Sequence, residues 1–182
     1  MDKKSENEGG MGLPKELHKS GELIQQFQAM QRAKAWNELG VYAEALRELE
    51  TLHEWFDQNY PPVWTEKCMA YVGLNQPERA LPYAERHLKR SPNDPQLMSF
   101  RLGIIARMGR TDEAYAGLKA ALEQHPSCRP LLLEMARCCA RMGRNREGRK
   151  WLDKAIKGDQ IGGVSWGAMT DRVLDDVWKI KD

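Results

Sequence analysis

The chain has 182 residues, 41% of them apolar and 30% charged, with a formal net charge of +2. That is enough apolar material for one compact domain or a short stack of repeats, and the near-neutral balance gives no whole-molecule argument for nucleic acid or an anionic membrane. No stretch approaches the roughly 20 apolar residues of a membrane helix, Met1–Gly12 lacks the apolar run of a secretory signal, and the four cysteines show no C-x-x-C spacing, so a reduced, cytoplasmic setting is the default expectation.

Residues 1 to about 20 are polar and glycine-containing, which predicts disorder at least to Gly12 and a short helical turn within Leu13–Ser20. From about Gln26 one pattern returns at a spacing of 34 or 35 residues. Its clearest column is Ala45, Ala80, Ala114 and Gly148, preceded by Trp36, Tyr71, Ile105 and Cys139. Between the two lie Leu39-Gly40, Leu74-Asn75, Met108-Gly109 and Met142-Gly143. Apolar residues recur at three and four spacing on both sides of that Gly or Asn, so each copy reads as two helices joined by a tight turn. A helix that ends in the left-handed conformation favours Gly, which has no Cβ penalty, and tolerates Asn next best.

The second helices carry their own start signals. Pro77 suits a first helical position, Thr111 and Asn145 are placed to cap, and Asp112-Glu113 complement the positive helix end. The small column then marks where the two helices of a hairpin approach closely. The repeats run over about 26–60, 61–94, 95–128 and 129–162, with one extra residue of the first placed in the turn Asn59-Tyr60-Pro61-Pro62. Gly158–Gly163 reads as a turn, after which Thr170 could cap a final helix over 163–182 bearing Trp166, Met169, Val173, Val177 and Ile180 as a stripe. That stripe would cover the end of the last repeat, whose next neighbour is missing.

The columns resemble the tetratricopeptide repeat, whose template has 34 residues. The third copy matches best through Gly109, Ala114, Ala121 and Pro126; the second offers Trp64, Tyr71, Ala80 and Pro92, with Asn75 in place of the turn Gly. Copies one and four lack the early Trp and the closing Pro. The resemblance implies an all-α, right-handed α-solenoid of four helix hairpins over 21–160 with a C-terminal capping helix. It also implies a non-enzymatic adaptor that binds a protein or peptide partner along its first helices.

By column, the resemblance nominates Phe27, Met30, Lys34 and Asn37; Pro62, Thr65, Met69 and Val72; Gln96, Ser99, Gly103 and Ala106; and Pro130, Leu133, Arg137 and Ala140. Arg107 and Arg141 sit beside the last two sets. Met30, Met69, Val72 and Leu133 would supply adaptable apolar contact, and Lys34, Arg107, Arg137 and Arg141 would set orientation through charge, with Asn37, Thr65 and Ser99 in the same groove, which fits an acidic and apolar segment. The relatives that clamp the acidic tails of chaperones use Lys and Asn at positions held here by Met30, Lys34, Glu66, Gln96 and Phe100, or, shifted by one repeat, by Thr65, Met69, Phe100, Pro130 and Glu134, so a carboxylate clamp of that kind is not expected in either register.

No nucleophile elbow, phosphate loop, dinucleotide fingerprint or paired metal-ligand motif occurs, so no catalytic residue, cofactor or metal is expected. His53 and His87 read as packing or polar-edge groups, and Cys138-Cys139 as small buried thiols, because adjacent residues on a helix point about 100° apart. Arg129–Lys154 holds eight Lys or Arg against three acids, net +5. A solvated face is the simplest reading of that cluster. Two other functions fit the same frame: a chaperone for a secreted or assembling client, and a regulatory or nucleic-acid-linked role for the arginines. Few aromatics interleave with the arginines, which argues against nucleic acid.

Overall fold

A computed structural model describes residues 12–18, 20–157 and 171–180. Residues 1–11, with their expected disorder, and 158–170, with the expected Gly158–Gly163 turn and Trp166, Met169 and Thr170, lie outside the described residues. The fold is all-α, with no strand among the described residues. By their contacts the residues form two compact units, 1–70 and 71–182.

In the first unit a 3-10 turn at Lys15–His18 leads into α1 (Ser20–Glu38), α2 (Tyr42–Glu50), α3 (Glu54–Asn59) and most of α4 (Pro61–Gly73). The turn sits where a short helical segment is expected, and Leu17 anchors it at 3% exposure in a core with Ala29, Ala33, Leu49, Phe56 and Val63. Arg32 forks onto Glu48, both hydrogen bonds 2.9 Å, and ties α1 to α2. The second helix of the first copy does not run on to the Asn59-Pro62 turn as the repeat spacing implies. It stops at Glu50, and α3 starts afresh because the His53 ring accepts a hydrogen bond from the Trp55 N–H at 3.1 Å, while the His53 N–H donates to Gln26 Oε1 at 2.7 Å. Asp57 holds α3 against α4, accepting the Lys67 ammonium at its carboxylate and the Trp64 indole N–H at its carbonyl. Phe56 meets Phe27, Trp55 and Tyr60 edge to face, with ring centroids 5.3–5.8 Å apart.

The second unit contains the end of α4, then α5 (Pro77–Arg90), α6 (Pro95–Arg107), α7 (Thr111–Gln124), α8 (Arg129–Arg141) and α9 (Asn145–Ile156). A 3-10 turn at Arg172–Leu174 and the one-turn helix α10 (Asp175–Trp178) follow. Neighbouring helices pack in sequence, and α6 and α7 both touch α8. Leu118, Leu131, Met135, Cys138 and Cys139 are fully buried among them. The turn residues behave as the sequence implies: Gly40, Gly109 and Gly143 have φ of +74°, +80° and +70°, and among the described residues Asn75 is the one non-glycine with a positive φ, at +57°. Ala45, Ala80 and Ala114 are 0% exposed at the close approaches.

Three local expectations are corrected. Thr111 and Asn145 are first helical residues; the caps are Arg110 and Arg144, whose side chains make no cap hydrogen bond. Arg144 lies over the Tyr115 ring at 4.5 Å and pairs with Glu147 instead. The C-terminal helix, over its described part, is a 3-10 turn plus a single α-turn, initiated by Asp171 Oδ1 accepting from the Val173 N–H at 3.0 Å. Its buried residues are Leu174 and Val177, whereas Val173 and Ile180 are only half-buried. Glycine at position 148 is crowded from two sides: a Cβ there would lie 3.2 Å from the Ala136 carbonyl and 3.3 Å from Cys139 Cβ on α8, and 3.3 Å from Val177 Cγ2.

Candidate peptide-binding faces

In the first unit the predicted residues lie on α1 and α4. Met69 is exposed at 40%, and Lys34 is exposed with only a loose 3.8 Å pairing to Glu38. Met30 belongs to the core rather than to a surface. Thr65 is half-buried, and its hydroxyl donates to the Pro61 carbonyl at 3.4 Å. Asn37 is buried at 4% exposure, and its amide donates to the Glu66 carbonyl at 3.0 Å and to Glu66 Oε2 at 2.8 Å. Those two bonds use the Asn37 N–H groups and leave Oδ1 buried without a donor.

In the second unit Ser99 is sealed inside α6 at 4% exposure, Val72 and Leu133 are half-buried, and Arg107 is exposed. Gly103 offers no open floor, since the Glu134 carboxylate lies 2.9 Å from where its Cβ would be. Arg137 is not a free charge either. Its guanidinium binds Glu134 on the same helix and Asp171 of the C-terminal segment, at 18% side-chain exposure. Burial pulls Arg137 down, but the two carboxylates outweigh it and raise it above the ordinary arginine value.

Arg141 lacks that compensation. Burial lowers it below the ordinary value; Glu134 opposes this and Arg107 adds to it. Its Nη1 is buried without an acceptor. Among the described residues, the buried side-chain polar atoms without a hydrogen-bond partner are Asn37 Oδ1 and Arg141 Nη1, and both belong to the predicted binding set. Leaving such a group unsatisfied costs about 1–3 kcal/mol. A ligand that supplies a donor at Asn37 or an acceptor at Arg141 recovers that cost on binding.

Sequence reasoning missed Glu66, Glu134 and Asp171 as neighbours of these groups. Glu134 is legible in principle, because it stands three residues before Arg137 on one helix face. Asp171 is not, since it arrives from a segment more than thirty residues away in sequence. Among the described residues no three His, Cys, Asp or Glu side chains gather in a way that could hold a metal ion, and no helix is long and apolar enough to cross a membrane.

Residues 106–160 match the model of the tetratricopeptide repeat family. No curated protein sequence matches the chain. Solved structures share its fold. A TPR protein of Thermus thermophilus is 19% identical with a TM-score of 0.59, covering 84% of this chain and 86% of its own. The MamA protein of MSR-1 is 19% identical at 0.56, covering 74% and 76%. YrrB, described as a TPR protein with an unusual peptide-binding site, is 22% identical at 0.54, covering 76% and 71%.

Proposed function

We propose that this tetratricopeptide-repeat chain is a non-enzymatic interaction module that holds an acidic and apolar peptide segment against its first helices. The carrying observation is the pair of unsatisfied buried atoms, one acceptor at Asn37 in the first unit and one donor at Arg141 in the second. In the first unit, Asn37 Oδ1 takes a ligand backbone N–H, Met69 gives adaptable apolar contact, and Lys34 exchanges its loose Glu38 pairing for a ligand carboxylate. In the second, Arg141 and the exposed Arg107 orient an acidic side chain or terminal carboxylate by charge-assisted hydrogen bonds. That YrrB is described as having a peptide-binding site agrees with this reading.

The test uses Met69→Glu and Arg141→Met in affinity capture from nuclease-treated extract, beside thermal unfolding. Arg141→Met replaces an unsatisfied guanidinium with an apolar side chain of similar length, so partners should be lost while stability stays level or rises. Partner sets unchanged in both variants would refute these faces. Arg137→Glu is a poor probe of the ligand, because it breaks the internal pairs with Glu134 and Asp171 first.

A further inference from the structure

The segment Asp171–Trp178 has little structure of its own. A three-residue 3-10 turn and a four-residue helix lie far below the length at which a helix holds itself in water, roughly 12–15 residues. The segment is ordered by what it touches, as a bound peptide is. Leu174 and Val177 are both 0% exposed and pack on Ala136 of α8 and Leu152 of α9. Asp171 Oδ2 accepts from Arg137 Nε at 2.5 Å. At the other end the Arg149 guanidinium stands over the Trp178 ring at 5.2 Å and donates to the Trp178 carbonyl at 3.5 Å. Two buried aliphatic anchors flanked by a charged pair and a cation–π contact are the anatomy of a binding site with central hot spots.

The surface underneath fits this occupant. Gly148 is where the repeat pattern has alanine, and Val177 Cγ2 would lie 3.3 Å from a Cβ there, which the Ala136 carbonyl and Cys139 Cβ of α8 would meet as tightly. The charge is complementary as well: Asp171 is bound directly by Arg137, and its field reaches Arg141.

We propose that the α8–α9 surface is a peptide-binding site in its own right, that residues 171–178 occupy it in cis, and that its ligand in trans is an acidic–aliphatic peptide with the spacing Asp-x-x-Leu-x-x-Val. This goes beyond the faces assigned above, because its anchors are Ala136, Leu152, Arg137 and Arg149. The occupant belongs to the same chain as its site, so its binding is intramolecular and a free peptide must outcompete it.

The probe is a fluorescently labelled synthetic peptide, DRVLDDVWKI, corresponding to residues 171–180 and titrated into the full chain. Fluorescence polarisation compares the wild type with Leu174→Asp/Val177→Asp, which expels the tethered segment. The expelled variant should bind at least about tenfold tighter than the wild type, and adding Arg137→Gln to it, which removes the charge without setting a second carboxylate beside Glu134, should remove that gain. Equal affinity for wild type and variant, no binding to a helical variant at about 1 mM, or equal binding of a scrambled peptide of the same charge would each overturn the proposal. If the double variant loses helicity by circular dichroism, Asp171→Asn replaces it: a gain in peptide affinity over wild type supports the site, and no gain overturns it. The faces proposed above are read by a different experiment, the affinity capture with Met69→Glu, so failure there and failure here are distinguishable.

Discussion

Gly109→Ala tests the backbone demand that sets the repeat. Gly109 has φ of +80°, and no heavy atom lies within 4 Å of a Cβ built on it, so substitution meets no steric obstacle. The cost is therefore conformational. An L-residue in the left-handed region loses about 1–2 kcal/mol, and alanine recovers about 0.4–1 kcal/mol of that by stiffening the unfolded chain. The net loss is about 1 kcal/mol, or a fall in Tm of about 2–4 °C for a chain of this size. Gly109→Asn should cost less than half as much, because Asn75 already holds the equivalent turn at φ of +57°. Gly143→Ala, with φ of +70° and equally open space, should match Gly109→Ala. Urea and thermal unfolding followed by far-UV circular dichroism measure all three. An alanine variant as stable as the wild type, or asparagine costlier than alanine, would refute the reasoning.

Two further outcomes concern titrating groups. Cys138 and Cys139 are 0% exposed and Cys68 is 1% exposed, while burial pushes the Cys139 thiol up to about 12, so in the native chain at pH 8 only the partly exposed Cys128 should react quickly with an aromatic disulfide reagent; a second fast thiol would contradict this packing. Burial holds His87 below the ordinary value of 6.5, with Asp94 opposing, so the unfolded chain takes the proton more readily and the stabilisation present above pH 6.5 is lost as pH falls through the folded value. Urea midpoints at pH 7.5 and 5.5 should drop further for the wild type than for His87→Gln, and equal drops would dismiss His87 as the source.

The turns were legible because the demand is local: a left-handed residue must be Gly or Asn whatever surrounds it. The small column was legible for a similar reason, since close helix contact excludes side-chain volume at fixed intervals. The division between α2 and α3 was not. It depends on the His53 ring acting as a cap and on Asp57 receiving Lys67 and Trp64, pairings that no propensity or period records. Thr111 and Asn145 read as caps by residue type, yet each helix starts one residue earlier than that reading requires. At the nominated positions, helical spacing could not say which ones a neighbour had sealed. Met30 and Ser99 went into the core, Arg137 was taken by Asp171, and Asn37 and Arg141 kept an unmet valence. Those outcomes are set by tertiary partners.

The seating of Asp171–Trp178 has a further consequence, for the number of repeats. A helical hairpin ordinarily presents the same surface to whatever stacks after it, which is why such arrays lengthen and shorten readily by whole units. Here the last hairpin lacks the methyl group, and a Cβ at 148 would meet the Ala136 carbonyl and Cys139 Cβ of its own α8 as tightly as it would Val177 Cγ2. The outer face of this hairpin is already taken by Leu174 and Val177. Elongation past α9 therefore requires more than duplicating a unit: Asp171–Trp178 must give up that face and move outward to the new end.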